Sequence, residues 1–328
     1  MSRVVRFYRL GGPEVLQIET RDIPKPEADE VLIKVDAIGL NRADVMLRRG
    51  QYLEKATFPS QLGFEAAGTV VECGAAVRNF QKGDSVGTLP GFNLSRYGVY
   101  ADHIVMPASH VIAQPKGLEP THAAALWMAY LTAYGGLISA GGLQAGEVVL
   151  ISAATSSVGL AAIQIAKHAG AYPIATTLNR DHHDAILAAG AVAAIATKDE
   201  SLAERLAELP YGKLHCVFDA VGGSDVLTLA EAMAPYGRMV IHGALSPEPT
   251  PFPLKLAIKN SLMLRGYVYT EVTQNPTVLQ QAQRFIAEGV AAGTLKPHID
   301  REFTLDKVVQ AHQYLESNQQ FGKVVMRV

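Results

Sequence analysis

Cysteine is nearly absent from this chain, since only Cys73 and Cys216 occur among 328 residues. Two thiols cannot build a four-thiolate zinc site, and they do not suggest the disulfide framework of a secreted protein. An excess of one charge is also missing, because 29 basic residues oppose 31 acidic ones and the formal net charge is −2. Nucleic acid is therefore not an expected partner.

The sequence also has no uninterrupted apolar run of the length that a membrane span requires. Its most apolar stretch, GEVVLISAATSSVGLAAIQIAK, is broken by Ser, Thr and Gly. The first residues, MSRVVRFYRLGGPEVLQIE, scatter charge through the segment where a signal peptide would be apolar. We therefore expect no membrane partner and a cytoplasmic location.

What the chain does contain is enough apolar sequence for more than one core, at 48% hydrophobic residues. The first third consists of short runs rich in Val and Ile that are separated by Gly-Pro and Pro-x-Pro breaks, which is typical of β-strands. A short helix, NRADVMLRRG, interrupts them. From Glu147 onward, strands and helices alternate, and this order predicts a parallel sheet with crossover helices.

These patterns predict an α/β protein of two domains. A β-rich catalytic domain is expected to comprise residues 1–122 and 268–328, and a doubly wound Rossmann domain residues 123–267. The tail of the chain, from TEVTQNPTVLQQAQRFIAEGVAAG to GKVVMRV, predicts a helix, an extended piece, a second helix and a final strand.

The segment VVLISAATSSVGLAAIQIAK predicts a strand, a tight turn and a helix. Such a turn directs backbone N–H groups and the positive helix end at a bound pyrophosphate. The three glycine places of the G-x-G-x-x-G pattern hold Ala154, Ser156 and Gly159, so only the last glycine is kept. The pattern is equally compatible with a plain strand-to-helix turn, although its place in a βαβ unit favours a cofactor.

The end of the next strand, YPIATTLNRDHH, favours NADP over NAD. An NAD site usually has an acidic residue there, whereas this sequence offers Thr176, Asn179 and the cation Arg180, which suit a 2′-phosphate. Two alternatives stay open at this point. Arg180 is also compatible with a solvated helix start, and Asp181 with a late ribose acceptor.

Six segments in the correct order resemble the medium-chain dehydrogenase/reductase superfamily, specifically its zinc-free, zeta-crystallin-like quinone oxidoreductase branch. They are GGPEVLQIE, IGLNRADVMLRRGQY, LGFEAAGTVVECGAAVRNFQKGDSV, AATSSVGLAAIQIAK and VFDAVGG, with GKVVM at the end of the chain. The resemblance covers essentially the whole chain. It implies that the first domain is GroES-like, that the cofactor is NADP(H) and that the protein is a homodimer. The strand MLRGYVY is the candidate edge for that dimer.

The resemblance also implies that no metal is bound. In the zinc-dependent branches, the position of Phe64 is a histidine ligand and a cysteine lies in the segment that reads GLNRAD here. Glu65 alone is not a site, because catalytic zinc needs three protein ligands. Without a Lewis acid, a quinone or an α,β-unsaturated carbonyl is the easier acceptor, since hydride addition leaves a delocalised oxyanion. We therefore expect hydride transfer from NADPH to such a small molecule.

The resemblance places Asn41 at the reaction, and Tyr52 and Asp44 are further candidates; each has a structural alternative. Asn41 would donate to the acceptor carbonyl or cap the following helix. Tyr52 would supply a pocket hydroxyl or be an ordinary boundary tyrosine, and Asp44 would be an acid or a capping partner. The expected cofactor contacts are Tyr130, Thr132, Ser156, Ser157, Val158, Gly159, Thr176, Asn179, Arg180, Val221, Gly222, Gly243 and Lys323. Tyr130 and Thr132 are also compatible with a core helix, and Lys323 with a solvated charge.

Two other functions remain open. An enoyl-thioester reductase would need a basic mouth for a phosphorylated arm, which Arg42, Arg48 and Arg49 could form. A non-enzymatic NADPH-binding regulator would bind the cofactor without turning over any acceptor.

Overall fold

The computed structural model describes residues 1–94 and 96–328. In chain order, the strands are β1 (Ser2–Phe7), β2 (Gln17–Arg21), β3 (Glu30–Gly39), β4 (Ser60–Gln61), β5 (Glu65–Cys73), β6 (Ser85–Thr88), β7 (His103–Pro107), β8 (Val111–Ala113), β9 (Val148–Ile151), β10 (Tyr172–Thr177), β11 (Ala193–Ala196), β12 (Leu214–Asp219), β13 (Met233–Ile241), β14 (Met263–Gly266), β15 (Ile299–Thr304) and β16 (Lys323–Arg327). The α-helices are α1 (Arg42–Arg48), α2 (Pro120–Ala123), α3 (Trp127–Tyr134), α4 (Ser157–His168), α5 (His183–Ala189), α6 (Leu202–Glu208), α7 (Asp225–Ala232), α8 (Leu254–Asn260), α9 (Thr270–Thr273), α10 (Pro276–Ala291) and α11 (Val308–Glu316).

The chain divides into two compact units. Unit 1 comprises residues 1–128 and 297–328, and unit 2 comprises residues 129–296. The predicted divisions after residues 122 and 267 therefore differ from the observed ones. The larger difference arises because α10 and the segment after it belong to unit 2, where the Gln164 side chain accepts a hydrogen bond from the backbone of Lys296 at 2.8 Å.

Unit 1 is built around a seven-stranded sheet in the order β15-β16-β3-β5-β6-β8, with β7 also paired to β3. A second sheet of three strands has the order β2-β1-β4. Strand β3 is buried along most of its length, as its sequence EVLIKVDAIG requires of a central strand. Its last residue, Gly39, pairs with Val325 of β16 on one side and Glu65 of β5 on the other. The beginnings of β5 and β16 therefore lie beside the end of β3.

Unit 2 contains a six-stranded sheet in the order β11-β10-β9-β12-β13-β14, and every pairing in it is parallel. Numbered from β9, this is the order 3-2-1-4-5-6 of a Rossmann fold, so the predicted doubly wound sheet is confirmed. Strand β9 (VVLI) is buried at every position, as expected for a sheet covered on both faces. The carboxyl ends of β9 and β12 lie next to each other at the centre of the sheet.

One helical stretch, Pro120–Ala140, is long and apolar enough to meet the length and hydropathy criteria for a membrane span. It includes α2, α3 and the π-helical turn Gly135–Ala140. However, 83% of its most apolar window is buried inside the protein. Its apolar side chains are therefore those of a core helix in this fold.

Candidate active site

Asn41 precedes the first turn of α1 as its N-cap residue, in an extended conformation. Its backbone N–H donates to Asp44 Oδ2 at 2.8 Å, and the backbone N–H of Asp44 donates to the Asn41 carbonyl at 3.0 Å. Asp44 therefore stabilises the start of α1, which confirms the alternative that it is a capping partner. The Asn41 side chain makes its hydrogen bonds elsewhere, because Nδ2 donates to the Gly39 carbonyl at 3.0 Å and Oδ1 accepts from Lys323 Nζ at 2.8 Å.

Asp44 is also the first member of a buried series of hydrogen-bonded side chains that continues through Tyr100 to His312. The Tyr100 hydroxyl donates to Asp44 Oδ2 at 3.2 Å and lies 3.2 Å from Nε2 of His312, and all three side chains are buried. Burial raises the pKa of Asp44 to about 7, although the Asn41 backbone N–H and the charge of Lys323 oppose that shift. Burial lowers the pKa of His312 to about 3, so this imidazole is neutral at physiological pH.

A buried ion pair lies directly beside Asn41. Lys323 Nζ donates to Glu65 Oε2 at 2.5 Å as well as to Asn41 Oδ1, and both charged side chains are only 1% exposed. The second carboxylate oxygen of Glu65 accepts from the Met128 backbone N–H at 2.9 Å. Because the Lys323 ammonium is buried and already hydrogen-bonded to Glu65 and Asn41, it is not available to a phosphate at the protein surface. The prediction that Lys323 contacts the adenosine phosphate is therefore wrong, because the antiparallel pairing of β16 with β3 carries it into the sheet beside Gly39 and Asn41.

Phe64 and Tyr52 meet where the resemblance pointed to a lost metal ligand. Phe64 is 2% exposed, and the Tyr52 ring packs edge-on against it with 5.4 Å between ring centroids. The position is therefore part of an aromatic core contact. Both carboxylate oxygens of Glu65 are engaged, one by Lys323 and the other by the Met128 backbone N–H. In the ranges that the structure describes, no group of three or more His, Cys, Asp or Glu side chains could hold a metal.

In unit 2, the predicted phosphate loop lies between β9 and α4, as expected. Ala153 adopts a positive φ of 48°, and the Ser156 hydroxyl caps α4 by accepting from the Gly159 backbone N–H at 3.0 Å. A Cβ on Gly159 would come within 2.7 Å of the Ala153 carbonyl oxygen, so the loop requires glycine there. Ser157 and Val158 form the first turn of α4 and are partly exposed. This turn presents the N-terminal end of a twelve-residue helix at the carboxyl end of the sheet.

Sequence reasoning missed the two side chains that join this loop to its neighbour. Ser152 Oγ donates to Asp219 Oδ1 at 2.6 Å and accepts from the Ala220 backbone N–H at 2.8 Å. Asp219 then accepts from the backbone N–H groups of Val221 and Gly222 at 2.9 and 2.8 Å. The only sequence signal was their position, since each stands at the end of a buried parallel strand.

The loop that contains Gly243 runs alongside the loop after β12. The backbone N–H of His242 donates to the Asp219 carbonyl at 2.8 Å, and a Cβ on Gly243 would come within 2.5 Å of the Ala220 carbonyl oxygen. Gly222 adopts a φ of 69°, which favours glycine. The carboxyl ends of the central strands therefore bring together the phosphate loop, Val221, Gly222 and Gly243. The His242 ring stacks on Phe218 with 4.0 Å between centroids.

The predicted ribose-phosphate residues lie together at the carboxyl end of β10 in unit 2. Thr176 is buried, whereas Asn179 and Arg180 are exposed. The Thr177 hydroxyl donates to the Asn179 carbonyl at 2.6 Å and thereby fixes the turn. The Arg180 guanidinium lies 3.3 Å from Glu200 Oε1, and 64% of its side chain is exposed. The Arg180 guanidinium is therefore accessible to solvent, but it also forms an ion pair with Glu200.

Tyr130 and Thr132 both belong to α3 and are buried, at 2% and 8% exposure. The Tyr130 hydroxyl donates to Gln164 Oε1 of α4 at 2.7 Å. The structure favours the core-helix alternative for Tyr130 over a place in the cofactor cleft, because its ring lies in the core and its hydroxyl contacts the helix that follows the phosphate loop. Burial alone accounts for the raised pKa of this phenol.

The three arginines that could have formed a basic mouth instead hold α11. Arg48 is completely buried and pairs with Glu316, which Arg49 also contacts. Arg42 donates to the Leu315 carbonyl at 3.1 Å and to Asn318. These contacts satisfy the C-terminal end of α11, and they leave little charge available for a phosphorylated arm.

Together, these features define a GroES-like unit 1 and a Rossmann-type unit 2. The loops at the carboxyl ends of the central strands of unit 2 suit a dinucleotide. Residues 27–116 match the family described as alcohol dehydrogenase GroES-like domain, and residues 157–288 match the family described as zinc-binding dehydrogenase. The chain is 31% identical to the quinone oxidoreductase of Pseudomonas aeruginosa, over 99% of each protein. The chain belongs to the medium-chain dehydrogenase/reductase superfamily, in its quinone oxidoreductase branch.

Two solved structures have the same fold. The quinone oxidoreductase of Escherichia coli, complexed with NADPH, shares 29% sequence identity and a TM-score of 0.91, with 100% of both chains covered. An NAD-dependent alcohol dehydrogenase shares 30% identity and a TM-score of 0.90, with 99% of both chains covered.

Proposed function

We propose that this protein is a zinc-independent, NADPH-dependent reductase that transfers hydride to a quinone or an α,β-unsaturated carbonyl. The observation that carries the proposal is the phosphate loop of unit 2. Its tight turn, its capped helix and its close approach at Gly159 lie at the carboxyl end of the first strand of a sheet with Rossmann order. The quinone oxidoreductase relatives support the same chemistry.

The chain offers a coherent set of cofactor contacts. The backbone N–H groups at the start of α4, at Ser157 and Val158, would hold the pyrophosphate, and the loops at Val221–Gly222 and Gly243 would border the nicotinamide ribose. Arg180 would pair with the 2′-phosphate, which favours NADPH. The bound cofactor supplies the hydride, and the protein supplies position and electrostatics.

The side chain proposed to contact the acceptor oxygen is Asn41. After hydride addition to a quinone or enone, that oxygen carries negative charge, and an amide N–H directed at it stabilises the charge. Tyr52 is the second candidate, since its phenol is held by the contact of its ring with Phe64. Asp44 is not proposed as a direct acid, because it is completely buried and serves the start of α1.

Zinc independence is supported by the residues themselves. Phe64 fills the position of a ligand, and Glu65 is engaged by Lys323 and the Met128 backbone. An ordinary ketone or aldehyde would need stronger stabilisation of its alkoxide than these residues offer, so an activated acceptor fits better.

We further propose that the protein is a homodimer that acts in the cytoplasm. Strand β14 is an edge strand of the six-stranded sheet, and several apolar side chains of β14 and of the segment before it are exposed. The side chains are Phe252, Leu254, Ile258 and Met263, which are 60%, 58%, 73% and 40% exposed. A second copy that pairs along this edge would cover them.

The proposal is tested by following NADPH oxidation with chelator-treated protein against a panel of quinones and enones, with NADH in parallel. We expect turnover that needs no metal and prefers NADPH. Turnover only after zinc is added would refute zinc independence. NADPH binding without turnover of any acceptor would favour a regulatory protein instead.

A further inference from the structure

The buried group formed by Asn41, Glu65 and Lys323 is built by the sheet itself. Gly39, the last residue of β3, pairs with Glu65 on one side and lies beside β16 on the other. A Cβ on Gly39 would come within 2.7 Å of Lys323 Cε and 2.9 Å of Glu65 Oε2. The lysine stem and the carboxylate are therefore packed tightly against backbone, and the ammonium has little room to move away from Asn41.

This arrangement determines which end of the Asn41 amide points where. An ammonium can only donate hydrogen bonds, so the amide atom 2.8 Å from Lys323 Nζ must be the oxygen. The other atom is then the nitrogen, and it donates one N–H to the Gly39 carbonyl at 3.0 Å. One N–H remains on that nitrogen, and it is the group that an acceptor oxygen needs.

We propose that Lys323 is a positioning residue that fixes the Asn41 amide with its N–H, rather than its oxygen, available to the acceptor. The inference rests on the proposed function, in which Asn41 steadies the developing oxyanion. Glu65 completes the arrangement, because its carboxylate accepts a hydrogen bond from the buried ammonium and holds it in place. The pair thus does more than stabilise the fold: it selects one of two amide orientations that differ little in shape.

The loss of Lys323 should release the Asn41 amide oxygen, which then has no donor, and so allow the amide to rotate. Glu65 Oε2 also loses its donor, and a rotated Asn41 amide could supply one in exchange for its hydrogen bond to the Gly39 carbonyl. The amide oxygen would then take the place of the outward N–H, and it would repel the carbonyl oxygen of the acceptor. Turnover should fall, whereas cofactor binding at the loops of unit 2 should not.

The experiment separates this effect from a loss of folding. Lys323→Met removes the donor and leaves a buried carboxylate unpaired, which destabilises the protein. Lys323→Met combined with Glu65→Met removes both charges and places no new hydrogen-bond donor beside Asn41, so folding stability should recover in part, although the Met128 N–H loses its acceptor. The matched control is Arg48→Met with Glu316→Gln, which removes another buried cation and its partner in the same unit without touching Asn41.

We expect kcat for quinone reduction to fall by about 10- to 100-fold in both Lys323 variants, with the KM for NADPH within about threefold of wild type. The control variant should keep wild-type kcat. In an Asn41→Ala background, Lys323→Met should cost nothing further, because its effect passes through Asn41. Recovery of kcat together with folding in the double variant, or multiplicative losses with Asn41→Ala, would overturn the proposal.

A neutron structure of the deuterated wild-type protein provides a readout that does not depend on turnover. Two deuterons on the Asn41 amide atom that faces away from Lys323 would support the orientation, and deuterons on the atom that faces the ammonium would refute it. If no acceptor is turned over by the wild type, the proposed function fails, and the deuteron positions still decide the orientation.

Discussion

Ser152 and Asp219 connect the ends of two neighbouring strands through a hydrogen bond of 2.6 Å between Ser152 Oγ and Asp219 Oδ1. Both side chains are buried. This hydrogen bond fixes the start of the phosphate loop and the loop after β12 in position relative to each other. The relationship matters because each loop alone is a short backbone turn without a core of its own.

We expect Ser152→Ala to weaken NADPH binding by about tenfold and to lower the free energy of unfolding by about 1–2 kcal/mol, since buried partners lose a hydrogen bond. Titration calorimetry and urea denaturation measure the two effects. The matched control is Ser201→Ala, which removes a cap from α6 in the same unit and should affect stability only. Wild-type affinity in Ser152→Ala would show that the connection does not organise the cofactor loops.

Asp44 makes the stability of the protein depend on pH. Its pKa is about 7 in the folded state, above the ordinary value of 3.8, so the native protein binds more protons than the unfolded chain between these values. Its contribution to stability is therefore fully present below about pH 4 and is lost as the pH rises through 7. Asp44→Asn should remove this loss, so that the variant gains stability relative to wild type by up to about 4 kcal/mol between pH 4 and pH 8.

The pH dependence of Asp44→Asn has an internal control in His312. The folded-state pKa of His312 is lowered to about 3, so its contribution to stability is present above the ordinary value of 6.5 and is lost as the pH falls towards 3. His312→Gln should therefore gain stability relative to wild type as the pH falls below 6.5, whereas Asp44→Asn gains stability as the pH rises. Denaturant titrations of both variants across pH 4–8 measure this. A pH-independent difference between Asp44→Asn and wild type would contradict the elevated pKa.

Arg180 is expected to determine cofactor choice. Arg180→Leu should raise the KM for NADPH by about 10- to 100-fold and leave that for NADH nearly unchanged, because only NADPH carries the 2′-phosphate. Initial rates with both cofactors measure the ratio. Arg205→Leu is the control, since Arg205 pairs with the same carboxylate, Glu200, and is not expected to meet the phosphate. An equal effect on both cofactors would place Arg180 outside the phosphate site.

The proposed dimer can be tested at Ile258, which is 73% exposed on α8. Ile258→Lys should shift the protein from dimer to monomer, because a charge within an apolar contact is costly to bury. Light scattering after size-exclusion chromatography gives the mass. Leu187→Lys, an equivalent change at an exposed leucine of α5, should leave the mass unchanged. A wild-type protein that is monomeric at high concentration would refute the dimer.

The sequence alone determined the two-part architecture, the strand-turn-helix at Ser152–Ser157 and the helix start at Asn41. These features depend on local signals: alternation of apolar residues, breaks at Gly and Pro, and capping residues act within a few positions of the chain. The exclusion of Phe64 as a metal ligand could also be predicted directly from the sequence, because a phenylalanine side chain has no ligand atom in any fold.

Only the tertiary structure decided the surroundings of the buried polar side chains. Nothing near Lys323 in the sequence indicates that its ammonium meets Glu65 and Asn41, residues 258 and 282 positions away. The same holds for Tyr130 and Gln164, and for Ser152 and Asp219. Whether a charged or polar side chain faces solvent, a ligand or a partner depends on which strands pair and in which register, and strand pairing is set by packing across the whole unit rather than by any local pattern.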